Sequence, residues 1–256
     1  MTVRVVRLTG QDAHLWLDPA LNIYVTAMGY PRGTEAHRAP LWREHISRPG
    51  WRAFGAIAQV GDLKPEPRGP LAGRLGRTGG GSLARRRLRA PLAASDDELL
   101  VGIAYGYRGA PDQWWNQQLR TGLRRTGLSP VAVNDLAADY FELTELHVHP
   151  TAQGLGIGQW LLTRLVADCT ESRVLLSTPE VSGEDNRAWS LYRRLGFTDV
   201  LRDFTFAGDP RPFAFLGRPL PLPVSPPPGP AAAPAPTDST DSTDSTDDAA
   251  TDPEPS

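Results

Sequence analysis

Cysteine is nearly absent: Cys169 is the only one in 256 residues. A single thiol excludes an internal disulfide, a cysteine-based zinc cluster and a dithiol redox pair, and it fits a reducing compartment. Lysine is as scarce, with Lys64 the only one and arginine carrying the rest of the basic charge. Together with abundant Ala, Gly and Pro, that bias reflects a GC-rich coding sequence rather than a function. No apolar run approaches the length of a membrane span, and the opening "MTVRVVRLTGQDAHLW" scatters charge where a signal peptide needs an unbroken apolar core. The expectation is a soluble, cytoplasmic chain. A large excess of charge is also missing, the formal net charge being −2, so a folded part of this composition offers no electrostatic footprint for nucleic acid.

What charge there is lies in separate segments. Residues 61–95 hold 8 Lys or Arg against 2 Asp or Glu, with Gly and Pro throughout and no apolar period, which reads as a flexible basic insert. Residues 221–256 hold 10 Pro, 7 acidic residues and no Lys or Arg. That composition buries too little apolar surface to offset ordering and reads as a disordered acidic tail. One domain spanning 1–220, interrupted by the insert, is the expected organisation.

"TVRVVRL" has strand character. The stretch from His14 to Ser47 reads as one or two helices, or a helix and a loop, broken by Pro31, Gly33 and Pro40. "WRAFGAIA" and "LLVGIAYGYRG" read as strands on either side of the insert, making it an enlarged hairpin loop. The segment with Trp114 and Trp115 reads as helical, the two indoles serving as core or lid aromatics. In "DYFELTELHVHP" the apolar positions are Phe141, Leu143, Leu146 and Val148. Their two-three-two spacing keeps one face buried only if the strand has an extra residue near Thr144–Glu145, which predicts a bulge that parts this strand from a neighbour. "GQWLLTRLVADCTE" is helical in period and places Cys169 within the helix; "RVLLST" is a short buried strand. Strand, helix and strand of these lengths make a parallel pair, whose ligands bind at the carboxyl ends. "DNRAWSLYRRLGF" carries Ala188, Leu191, Tyr192 and Leu195 at helical spacing, with Asp185 or Asn186 to cap it and Gly196 to stop it. Two antiparallel strands joined by "AGDPR" complete the sheet.

Between the bulged strand and its helix stands "HPTAQGLGIGQW", with glycine at 154, 156 and 158. Any helix N-terminus presents free N–H donors to an anion. The dinucleotide fingerprint needs G-x-G-x-x-G and the nucleotide P-loop needs G-K-[ST]; this turn supplies neither. The pattern that remains is Q-x-x-G-x-G, formed by Gln153, Gly156 and Gly158.

That pattern, after a bulged strand and ahead of an Asn186…Tyr192…Leu195-Gly196-Phe197 helix, resembles the acyl-coenzyme A site of the GNAT N-acetyltransferases. The likeness is dense over residues 140–206. It departs at the basic insert, the Trp114–Trp115 segment and the tail, which bear on the acceptor and leave the coenzyme site untouched. The resemblance implies a mixed α/β fold with a splayed, bulged central strand pair. It implies acetyl-CoA as acyl donor with no metal, and attack of a primary amine directly on the thioester. The main chain of Gln153, Gly154, Leu155, Gly156, Ile157 and Gly158 would hold the pyrophosphate, with Asn186 beside it. Leu146 and Val148 would offer N–H groups to the thioester carbonyl and the pantetheine arm. Glu142, eleven residues before Gln153, would be the general base, with Glu145 as its rival, and Tyr192 the general acid to the departing thiolate. His147 and His149 read as surface or structural residues rather than a metal pair, Arg164 as a surface cation rather than a phosphate ligand, and Cys169 as no nucleophile. The expected partners are a small-molecule or peptide amine acceptor and a second copy of the chain, with neither membrane nor nucleic acid. Two other classes compete: a coenzyme-binding regulatory domain without turnover, and a nucleic-acid partner acting through "RRRLR".

Overall fold

The computed structural model describes residues 3–59, 61 and 98–223. The basic insert, apart from Gly61, and the acidic tail beyond Pro223 lie outside them. Strands β1 (Val3–Leu8), β2 (Arg52–Gln59), β3 (Glu98–Arg108), β4 (Phe141–Val148), β5 (Arg173–Pro179), β6 (Thr198–Thr205) and β7 (Pro212–Pro219) form one sheet in the order β1-β2-β3-β4-β5-β7-β6. Only β4 and β5 run parallel; every other pairing is antiparallel. β2 and β3 pair directly, so the insert does join the two arms of a hairpin.

Helices α1 (Ala13–Met28) and α2 (Thr34–Ile46) cover one face of the β1–β4 half, and α5 (Ile157–Val166) lies on the other. The alternation along β3 fixes this. Tyr105 meets His45 and Trp42 of α2, whereas a side chain at Gly102 would meet Ile157 and Leu161 of α5. α6 (Arg187–Arg194) joins the core beneath α5 through Trp189, Leu191 and Tyr192. Helices α3 (Trp114–Arg125) and α4 (Pro130–Leu136) build a second apolar cluster against β5, β6 and β7, where Trp115 Nε1 donates to Ser177 Oγ at 3.0 Å.

The structure corrects several readings of the sequence. Pro40 does not break the second helix but lies inside α2, whose Ala39, Trp42 and His45 are buried; packing outweighs the lost backbone donor. Cys169 falls beyond the end of α5 at Val166, where the thiol sits half-buried. The short α4, capped by the Ser129 side chain, escapes the periodicity because only Val133 of it is buried. The apolar stripe of α6 is completed by Trp189, while Ala188 is only half-buried. Of the first residues assigned to the tail, Leu222 packs into the core.

Candidate active site

The expected bulge falls on β4. Tyr105 pairs with Glu145 and Gly106 with Leu143, leaving Thr144 as the extra residue. The close approach needs glycine on the facing strand: a Cβ at Gly106 would stand 2.1 Å from the Glu142 carbonyl oxygen and 2.5 Å from the Phe141 ring. The three-residue step also brings Glu142 and Glu145 onto the same face, opposite Tyr107 and Tyr105 and beneath α2.

Beyond the bulge β4 leaves its parallel neighbour. The β4–β5 ladder consists of Phe141 with Val174 and Glu142 with Leu175 and stops there. On the other edge His149 N–H donates to the Val101 carbonyl at 2.8 Å, and His147 pairs with Ile103. Backbone direction alternates along a strand, so the N–H groups of Leu146 and Val148 point away from β3 into the opening between β4 and β5.

At the carboxyl end of β4, His149 and Thr151 close a 3₁₀ turn over Pro150–Ala152, with His149 Nδ1 2.8 Å from Thr151 Oγ1. Gln153 Nε2 donates to the Val148 carbonyl at 2.9 Å, tying the glycine turn to the strand end. The three glycines do different work. Gly154 and Gly156 have φ of 82° and 77°, in the left-handed region, so they make the turn. Gly158 has no such φ; a Cβ there would stand 3.3 Å from Leu191 Cδ2, so its smallness lets α5 approach α6. α4 and α6 are capped by the side chains of Ser129 and Asn186, whereas α5, like α1, α2 and α3, has no side-chain cap; it begins at Gly156. The N–H groups of Ile157 and Gly158 stand in its first turn, where an α-helix makes no bond of its own to them. Asn186 Oδ1 accepts from Trp189 N–H at 2.9 Å, so this side chain is engaged in starting α6.

The two carboxylates beneath α2 are both buried, yet their surroundings act oppositely. Glu142 is 2 % exposed. Tyr107 Oη donates to its Oε1 at 2.9 Å and Thr144 Oγ1 lies 3.5 Å away, while Oε2 has no hydrogen-bond partner among the described residues. Desolvation is the largest influence and pushes Glu142 up to about 7. Glu145 is held between Arg38 Nη2 at 3.0 Å from Oε1 and His147 Nε2 at 2.6 Å from Oε2. Burial raises its pKa, but these partners more than reverse that and hold it below the usual carboxylate range. Tyr192 is buried, its ring 5.6 Å from Phe197, and its hydroxyl makes no hydrogen bond to a described residue. Burial and then the charge of Glu145 keep the phenol protonated far above neutrality.

The profile of the acetyltransferase (GNAT) domain matches residues 126–199. A GCN5-like protein acetyltransferase of Mycobacterium tuberculosis is 49% identical over 223 residues, which is 87% of this chain and 100% of the relative. The chain belongs to the GNAT acetyltransferase family. Among solved structures, the PaiA N-acetyltransferase of Thermoplasma acidophilum in complex with coenzyme A is 14% identical, with 86% of this chain and 100% of that one covered, at a TM-score of 0.45. An acetyltransferase from Thermus thermophilus is 16% identical, covering 86% and 98%, at a TM-score of 0.46.

In this GNAT chain Leu146 and Val148 follow the point where the β4–β5 ladder ends at Glu142, Gln153 ties the glycine turn to Val148, and Asn186 and Tyr192 lie at the start and on the buried face of α6. His147 and His149 are structural, as their bonds show. Arg164 stands 5.9 Å over the Phe54 ring, in a cleft shared with Arg7, Arg52 and Asp168. Cys169 is pushed up to about 12, chiefly by burial, which leaves a neutral thiol. Trp115 is core; Trp114 is 53 % exposed and lies beside Phe206. Among the described residues there is no group of three or more His, Cys, Asp or Glu side chains placed to hold a metal, and no helix long and apolar enough to cross a membrane. Sequence reasoning missed the aromatic roof: Arg211 of the β6–β7 turn donates to Tyr30 Oη at 3.0 Å, joining segments 181 residues apart. It also missed Arg38 and Tyr107, which are common residues on ordinary elements and carry no local pattern.

Proposed function

We propose that this chain is an N-acyltransferase that moves an acetyl or other short acyl group from acetyl-CoA to a primary amine. One observation carries the reading: two main-chain N–H groups without strand partners face the same opening as an uncapped, glycine-entered helix N-terminus. A carrier with a diphosphate at one end and an amide-bearing arm leading to a thioester presents acceptors for both. Gln153 through Gly158 would hold the diphosphate, with Leu146 and Val148 donating to the arm and the thioester carbonyl.

Acetyl-CoA, when bound, supplies an acyl group already activated as a thioester. The chain's own residues then have three tasks. An alkylammonium, with an ordinary pKa near ~10, must lose a proton before it can attack, and Glu142 Oε2 is the buried atom free to accept it. With its pKa raised to about 7, Glu142 is available as a base near neutrality and holds a proton more firmly than an ordinary carboxylate. The negative charge that builds on the carbonyl oxygen falls to the Leu146 N–H, a fixed dipole that needs no reorganisation. Tyr192, kept neutral by burial, would be the residue that gives a proton to the departing thiolate, solvent then returning one to the phenolate. Glu145, ion-paired to Arg38 through one oxygen and hydrogen-bonded to His147 through the other, is fitted to hold both in place rather than to exchange protons.

The acceptor side lies between the α1–α2 turn and the β6–β7 turn, bounded by Tyr30, Arg211, Phe206 and Trp114. The Mycobacterium tuberculosis relative is named a protein acetyltransferase, which supports an amine carried on a polypeptide. Thiol release from acetyl-CoA, measured with peptides bearing a free lysine or α-amine and with small amines, tests the proposal. Release that depends on a peptide amine is expected. Binding of coenzyme A without release from any amine would overturn catalysis and leave a regulatory domain.

A further inference from the structure

Glu142 Oε1 is the near end of a hydrogen-bonded chain that no motif records. Tyr107, on β3 directly opposite Glu142 and 1 % exposed, donates to Oε1 at 2.9 Å. Arg48, just past the end of α2, donates from Nη1 to the Tyr107 oxygen at 2.6 Å, with its guanidinium carbon 4.6 Å from the centre of the Tyr107 ring. Its Nη2 reaches Glu44 Oε1 at 2.9 Å, and Glu44 is exposed. A hydroxyl that receives a charged hydrogen bond becomes a stronger donor in turn, and such chains reinforce one another where the dielectric is low.

We propose that Tyr107 and Arg48 are positioning residues for the general base: Tyr107 occupies Glu142 Oε1, Arg48 holds and polarises Tyr107, and together they stabilise the ionised carboxylate and leave Oε2 as the one atom that takes the proton. This rests on Glu142 being the base. Other groups around the carboxylate do not supply the same effect. Thr144 Oγ1 stands at 3.5 Å, the limit of a hydrogen bond. Glu145 acts in the opposite sense, as a like charge. Tyr105, whose hydroxyl pairs with His45 Nδ1 at 3.0 Å, and Tyr140, bonded to Asn116, are both kept neutral by burial. His45, packed against the Tyr107 ring at 5.2 Å, is pushed down to about 4 by burial and then by Arg48, so it too is neutral and adds no charge.

Removing a hydrogen bond to a buried ion is worth about one to two pH units in that ion's titration. In Tyr107→Phe the acidic limb of kcat therefore moves to higher pH by that amount, so that kcat falls about five- to fiftyfold at pH 7 while above pH 9 it stays within about twofold and KM for acetyl-CoA holds. Arg48→Met shifts the limb in the same direction by less, and Arg48→Lys restores part of it. The second readout needs no turnover: carbon-13 NMR of protein labelled at the glutamate carboxyls, with the Glu142 resonance assigned by its loss in Glu142→Gln. Its midpoint should rise in Tyr107→Phe in the free enzyme. An unmoved midpoint overturns the inference whatever the kinetics do. A moved midpoint together with an intact acidic limb in Glu142→Gln would uphold the electrostatic coupling but overturn the choice of Glu142 as base, and the positioning role with it.

Discussion

Around residues 153–158 the groups that face the opening are main-chain N–H donors, and side chains serve only to shape the turn; beneath α2 the groups are buried side chains whose chemistry depends on what surrounds them. The first region is robust to substitution except where a glycine is required by φ. The second is sensitive at each position, because a buried carboxylate changes its proton affinity with every neighbour. Glu142 and Glu145 make the point within one strand: both are buried, three residues apart, and their shifts are opposite, because desolvation outweighs the Tyr107 hydrogen bond at Glu142 whereas His147 and Arg38 outweigh it at Glu145.

The sharpest way to break the contrast is Glu142→Gln. Turnover at pH 7 should fall by roughly a hundredfold or more, the usual worth of a general base, while coenzyme affinity stays within about twofold; steady-state kinetics beside a binding isotherm separates the two. Loss of affinity to match would place Glu142 in the coenzyme region instead.

The same variant has a second consequence, in stability. A carboxylate that titrates near 4.5 unfolded and near 7 folded keeps its proton longer in the folded state. Its contribution is therefore fully present below about pH 4.5 and is lost as pH rises through 7. At 1.36 kcal/mol per unit the loss is on the order of 3 kcal/mol. Urea unfolding at pH 5 and pH 8 should show the wild type losing stability that Glu142→Gln retains; parallel curves for the two proteins would mean that Glu142 is already ionised when folded.

A smaller effect distinguishes the glycines of the backbone region. Gly156→Ala forces a Cβ into the left-handed region, costing about 1–2 kcal/mol, and should weaken coenzyme binding about tenfold. Gly158→Ala meets the flexible end of Leu191 at 3.3 Å and Val148 Cγ2 at an ordinary 3.8 Å, and should cost less than about 1 kcal/mol. Equal effects at the two positions would remove the distinction between turn-making and packing glycine.

The two regions also differ in how they could be read beforehand. The corner was legible because its demands are local: the two-three-two apolar spacing of β4 reports the Thr144 bulge, and alternate glycines report a helix entered without a cap. Sheet order, with β7 slipped between β5 and β6, follows from pairings that no single segment encodes. Glu142 was visible only by its distance from Gln153. Its partners were invisible, since Tyr107 reads as one more strand aromatic and Arg48 as a helix-end cation until the hairpin and α2 bring them together. Helix α4 and Pro40 went astray for one reason: tertiary packing and a single cap outweighed the local signal.

The central claim is that bare main-chain amides at this corner clasp an acyl carrier. Calorimetric titration of the intact protein with coenzyme A tests it most directly. A single saturable site, weakened about tenfold by Gly156→Ala and unchanged by Glu142→Gln, is the predicted result. No heat with coenzyme A or acetyl-CoA, from a protein shown by circular dichroism to be folded, would contradict it.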